Sequence, residues 1–91
     1  MAIREVFDRK THLRGIVSRK ISSGFYAAAA NEAYHGASDH EEKVLLIQRA
    51  MDAALSAQNL SDAGGIAGDY GDYLSEDHRR RLSELAPTVD R

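Results

Sequence analysis

Apolar side chains recur along this chain at intervals of three and four residues, the spacing of one face of an α-helix. Over residues 2–21, Ile3, Val6, Phe7, Leu13, Val17 and Ile21 keep that spacing. Lys10 and Arg14 fall on the same face or at its edge, where their stems can lie along apolar surface while the charges reach water. Gly15 sits on the opposite side and weakens the helix. Ser22-Ser23-Gly24 reads as a break. Residues 25–35 read FYAAAANEAYH. The alanine run is a strong helix former, and its small side chains let another helix approach closely. Gly36 is the expected C-cap.

Ser38 and Asp39 both offer N-caps, with Glu41 and Glu42 each three residues later, so both pairs match a capping box. The helix they predict, residues 40–58, carries a stripe of Val44, Ile47, Met51, Ala54 and Leu55. Leu46, Ala50, Ala53 and Ala57 widen the stripe to about half the circumference, which marks a central helix packed on more than one side. Leu45 falls on its polar side, among Glu41, Arg49, Asp52 and Ser56. Residues 59–72 hold Gly64, Gly65, Gly68 and Gly71 and read as either a loop or a loosened helix start. Ser75 can cap a last helix, residues 76–86, with Leu74, His78, Leu82 and Leu85 in line and Pro87 as its stop. No stretch alternates with period two, and the connections are short, so neighbouring helices should be antiparallel. The expectation is an all-α chain, a small antiparallel helical bundle of three to four helices forming a single helical domain over residues 1–91.

Composition sharpens this picture. Aromatics make up 7% of the 91 residues and Trp is absent, so the core must rest on aliphatic side chains and many alanines. Such a core is thin for so short a chain, and self-association into a homo-oligomer is expected because it buries more apolar surface. There is no Cys, which excludes disulfides and thiolate zinc sites and suits a reducing compartment. No apolar run is long enough to span a membrane, and Arg4, Glu5, Asp8 and Arg9 interrupt any signal-peptide core, which predicts a cytoplasmic protein.

The net charge of −2 hides an uneven distribution. Residues 1–20 hold six Lys/Arg against two acids, +4, and residues 31–78 hold two Lys/Arg against ten acids, −8. A bipolar chain of this kind can bind copies of itself or a charged partner. Phosphate binding needs cations gathered on one face. Arg4, Arg9, Lys10, Arg14, Arg19 and Lys20 spread around most of the first helix, which disfavours nucleic acid, and Glu5 and Asp8 dilute the basic side that a membrane-surface helix would need.

The remaining constellations are sparse. Glu32 and His35 share one helix face at i, i+3, the pair used in carboxylate-bridged di-iron bundles, but those use it twice with two further Glu residues; a symmetric dimer would be needed to supply the second copy. Asp69, Asp72, Glu76 and Asp77, with His78, match no EF-hand spacing, and helix-start acids suit the helix dipole. The GxxG at residues 65–68 is flanked by Asp62, Asp69 and Asp72, which repel phosphate. No Ser sits in a strand-to-helix elbow, and the four histidines, His12, His35, His40 and His78, lie in four different settings, so no catalytic triad is expected.

The stretch from Lys43 to Leu82 resembles the flagellin-specific export chaperones, small helical bundles of bacterial flagellar systems. The resemblance rests on KVLLIQRA at residues 43–50, GGIA at 64–67, DYL at 72–74 and Arg81-Leu82, in the family's order. The spacing from Gly65 to Tyr73 is about a helical turn shorter than in that family, and the first 40 residues match it only in being helical. Membership would imply a chaperone that holds an unassembled filament subunit's disordered tail between its helices. It would also imply no enzyme activity and no cofactor.

The sequence therefore predicts a non-catalytic, cofactor-free protein that binds another protein, as an export or assembly chaperone, an adaptor or a small inhibitor. Leu45, Ile66, Tyr70, Tyr73 and Leu74 are the expected contact residues. Tyrosine suits an interface because it can bury its ring and leave its hydroxyl wet. The segment from Gly64 to Leu74, which carries four of these residues, is expected to be mobile alone and ordered by the partner. The rival functions are a nucleic-acid-associated protein using the basic N-terminal helix and a metal-binding helical dimer using Glu32 and His35.

Overall fold

The computed structural model describes the backbone of residues 2–85 and the side chains of residues 9–85. Over that range there are five α-helices and one 3-10 turn, and no strand: α1 Ala2–Ser22, α2 Tyr26–Gly36, α3 His40–Ser56, α4 Leu60–Tyr70, the turn Gly71–Tyr73, and α5 Glu76–Leu85. The all-α class is as expected, and the helix count exceeds the expected three to four. The added element is α4, which forms despite its glycines because Ala63 and Ile66 are drawn into the core and Asn59 caps its start by accepting from the Asp62 N–H at 3.0 Å. The expected stop at Pro87 and helix end at Ala86 lie outside the described residues, as do the side chains of Ile3, Arg4, Val6 and Phe7.

Two helix ends use the left-handed region. After α1, Gly24 takes φ +84° while its N–H donates to Ile21 O and the Phe25 N–H reaches back to Lys20 O at 2.8 Å. This is a Schellman ending, and glycine adopts it without strain. After α3 the same pattern recurs with Gln58 at φ +57°, its N–H on Leu55 O and the Asn59 N–H on Ala54 O. A side chain in that position carries a cost that glycine would not.

Gly36 is not the C-cap expected of it. It remains inside α2, and Ala37 caps with extended backbone. The physical reason for a glycine is across the bundle: a Cβ there would sit 2.8 Å from Leu13 Cδ1, so α1 and α2 meet at this point without room for a methyl group.

The start of α3 uses one of the two candidate capping pairs. Asp39 Oδ1 accepts from the Glu42 N–H at 2.8 Å. The Glu42 carboxylate returns to the backbone N–H of Ser38 at 3.3 Å, one residue upstream of the usual reciprocal bond.

Residue pairings fix the topology. Leu13 meets Gly36 and Lys20 meets Glu32, so α1 and α2 are antiparallel; Lys10 meets Asp39 and Arg14 meets Glu42, so α3 returns along α1. Tyr26 meets Asp62 and Tyr34 meets Tyr70, so α4 follows α2. The wide stripe of α3 does what its width predicts: this helix touches α1, α2, α4 and α5. The fully buried large side chains are Val17, Leu46, Ile47, Met51 and Ile66, joined by Ala29, Ala30 and Ala33 on the alanine-rich face of α2. Each large aliphatic group contributes about 1.5–3 kcal/mol by burial. The alanines contribute little area but let α2 sit close against α1 and α3.

Part of the uneven charge is resolved within the chain. Lys10 pairs with Asp39 at 3.1 Å, Lys20 with Glu32 at 3.8 Å and Arg14 approaches Glu42 at 3.9 Å. The basic N-terminal helix thus lies along the acids that follow it. The three arginines of α5 are also engaged: Arg79 donates to Gly71 O at 2.6 Å, Arg80 pairs with Asp77 and Glu84, and Arg81 with Asp52 and Asp77.

Candidate functional site

The five expected contact residues do not form one surface. Ile66 is fully buried and Leu74 is 7% exposed, so both serve the core. Their apolar character reflects inward packing between α3, α4 and α5 rather than a role at a surface. Leu45 is 59% exposed on α3, but it lies two residues, about 200° of helical rotation, from the side that meets the tyrosines. Tyr70 and Tyr73 are the pair that the fold brings together, and it adds a third ring the sequence reading did not single out.

That ring is Tyr34. It stands on α2 with its centroid 5.1 Å from Tyr70, at the end of α4, and 5.9 Å from Tyr73 in the 3-10 turn. The first pair is tilted by 35° and the second is edge-to-face at 72°, within the range where ring quadrupoles attract. His35 stands edge-on to Tyr34 at 5.1 Å, and His40, the first residue of α3, is 5.7 Å from Tyr73. The Lys43 ammonium lies 4.6 Å from the Tyr34 ring centre and 6.0 Å from that of Tyr73, a cation–π arrangement that ties α3 to the cluster.

Polar bonds set the cluster in place. Tyr70 Oη donates to Asn31 Oδ1 at 2.8 Å, linking α4 to α2. Gln48 Nε2 donates to the carbonyl of Tyr73 at 2.8 Å, holding the 3-10 turn against α3. Burial, then the Asp69 charge and the neighbouring Tyr34, push the Tyr70 phenol above its ordinary value, so it stays a neutral donor at physiological pH. Tyr34 remains 36% exposed at the centre, with Tyr70 and Tyr73 half-buried around it. The result is a preformed amphipathic patch: ring faces for apolar contact, hydroxyl groups and one ammonium for directional bonds.

Tyr34 escaped the sequence reading because its neighbours dominate the signal. In an alanine run it looks like an isolated ring, and nothing local says that residues 36 and 39 positions further on stack against it. The feature that would have found it is the equal spacing of Tyr26 and Tyr34 with Asp62 and Tyr70, which share one offset of 36 when α2 and α4 run alongside each other.

A second convergence was also not foreseen. Ser75 Oγ lies 2.7 Å from His78 Nδ1, and His78 Nε2 lies 2.8 Å from Asp52 Oδ1. The three side chains have the identities of a hydrolase triad, but the geometry is that of a helix cap. Ser75 Oγ accepts from the His78 N–H at 3.2 Å, and His78 Nδ1 accepts from the Ser75 N–H at 3.2 Å, a capping box with histidine in the place of Glu. The one lone pair of Nδ1 is thus shared with the backbone, and Nε2 donates to Asp52. This chain locks α5 to α3.

No family model, curated protein or solved structure matches this chain. The pieces that resemble flagellin-specific export chaperones fall on α3 for residues 43–50 and within α4 for residues 64–67, and Tyr73 lies in the 3-10 turn. Among the described residues, no three His, Asp or Glu side chains gather as metal ligands. Glu32 pairs with Lys20 and His35 stands against Tyr34. Among the described residues, no helix is long and apolar enough to cross a membrane.

Proposed function

We propose that this chain is a non-catalytic helical bundle that binds another protein through the Tyr34–Tyr70–Tyr73 surface, as an export or assembly chaperone, an adaptor or a small inhibitor. The observation that carries the reading is the convergence of three tyrosines from α2, α4 and the 3-10 turn, with one ammonium beside two of the rings and the central ring open to solvent. Rigid aromatic anchors with polar tips are the residues that dominate protein interfaces, because they bury area at little conformational cost. The reading involves no cofactor, and its setting is the cytoplasm, in keeping with a sequence without Cys.

The nucleic-acid alternative is weaker for a specific reason. Lys10, Arg14 and Lys20 face the protein's own acids, so phosphate contacts from these three side chains would have to displace them. The test is to measure affinity for the protein captured from source-cell extract. Tyr34→Ala should weaken it at least tenfold while the thermal midpoint moves by only a few degrees. Unchanged affinity in Tyr34→Ala would refute the assignment.

A further inference from the structure

On the other side of α3, Leu45 stands 59% exposed between Glu41, one turn before it, and Arg49, one turn after it. Both charged residues are exposed and neither takes part in an ion pair or hydrogen bond among the described residues, unlike Lys10 and Lys20 of α1 and Arg80 and Arg81 of α5. The pattern acid–leucine–base at i−4, i and i+4 is self-complementary. When two such helices cross antiparallel with leucine on the two-fold axis, each acid faces the other copy's base and the leucines meet.

Beside this stripe runs a groove of about 610 Å³ between α1 and α3, bordered by Leu45 and floored by Glu42. Glu42 is 5% exposed, and its Oε2 is buried with no hydrogen-bond partner; the nearest cation, Arg14, holds back at 3.9 Å. A buried carboxylate oxygen without a donor is costly, and a guanidinium entering from outside would relieve it.

We propose that this face is the interface of a homodimer of two-fold symmetry, with Leu45 on the axis and Arg49 of each copy entering over Glu41 of the other toward the orphan oxygen of Glu42. The occupant is a second copy because the charge order matches itself in one register, with one leucine pair at the centre. Such a small apolar centre gives a weak dimer with a dissociation constant in the micromolar range. The groove adjoins the tyrosine patch through His40 and Gln48, while none of the three tyrosines lines it.

Sedimentation equilibrium from about 1 to 300 μM tests it. The wild type should reach twice its 10.0 kDa mass at the upper end. Leu45→Glu should stay monomeric, and Glu41→Arg and Arg49→Glu should each raise the dissociation constant at least tenfold. The double exchange Glu41→Arg/Arg49→Glu should recover part of the loss, since it restores the 41–49 pairing but brings a carboxylate toward Glu42, and the two single variants mixed should pair with each other better than either pairs with itself. All three positions are solvent-facing, and unchanged circular dichroism verifies folding. A wild type that stays monomeric at 300 μM, a Leu45→Glu dimer, or a double exchange that fails to recover would each overturn the proposal.

Discussion

Replacing Asp62 probes a long-range cap that the fold depends on. Helix α2 begins at Phe25, a residue whose side chain provides no cap, so its first N–H groups have no local partner. Asp62, in the first turn of α4, supplies one: its Oδ2 accepts from the Tyr26 N–H at 3.0 Å and the Ala27 N–H at 3.3 Å. Loss of a capping acceptor costs about 1 kcal/mol, within a range of roughly 0.5–2. Removing the negative charge from the positive end of a helix adds about 0.3–1 kcal/mol. Asp62→Ala should therefore lose about 2 kcal/mol, whereas Asp62→Asn keeps an acceptor and should lose only about 0.5–1. At roughly 4–8 °C per kcal/mol for a chain of this size, the thermal midpoint should fall by about 8–16 °C and about 2–8 °C respectively. Circular dichroism at 222 nm reads both, with the exposed Asp69→Ala as a control expected within about 0.5 kcal/mol of wild type. An Asp62→Ala protein as stable as the Asp69→Ala control would refute the capping argument.

Three further outcomes follow from the geometry. Gln58→Gly should raise stability by about 0.5–1 kcal/mol in urea titration, since glycine relieves the left-handed backbone at φ +57° that ends α3. Gly65→Ala, in open space on α4, should stabilise by up to about 1 kcal/mol, whereas Gly36→Ala should destabilise by about 1–3 because its methyl meets buried Leu13 Cδ1 at 2.8 Å; the opposite signs are the test. The carboxyls of Asp39 and Asp77 are held below the ordinary range, the first by the Glu42 N–H and Lys10 and the second by Arg80. Their stabilisation is present above the unfolded value near ~3.9 and is lost as pH falls through the lower folded values, so the thermal midpoint should drop below about pH 4. Asp39→Asn/Asp77→Asn should flatten that drop.

The helices whose signals are local were legible in the sequence. The stripe of α3, the break at Gly24 and the stop of α2 near residue 36 all depend on spacing and caps within a few residues. What failed depends on contacts across the bundle. Four glycines lower the intrinsic helix preference of residues 59–72, yet burial of Ala63 and Ile66 against α3 outweighs it, so this segment is helical without a partner chain. Gly36 has the local context of a cap, whereas the crowding at that position comes from Leu13, 23 positions earlier. The same limit divides the site. Tyr70 and Tyr73 were recognisable from their amphipathic rings, whereas Ile66 and Leu74 could not be told from surface anchors without knowing which way α4 faces. Tyr34 and Lys43 became visible only when α2, α3 and α4 were laid side by side.

The measurement that bears most directly on partner binding is site-specific photo-crosslinking in the source cell. A photoreactive phenylalanine placed at position 34, over the exposed ring site, should give a discrete adduct with another protein. The same probe at position 80 on α5 should give none. Adducts of equal yield at both positions, or none at position 34 in folded protein, would contradict a partner surface built on Tyr34, Tyr70 and Tyr73.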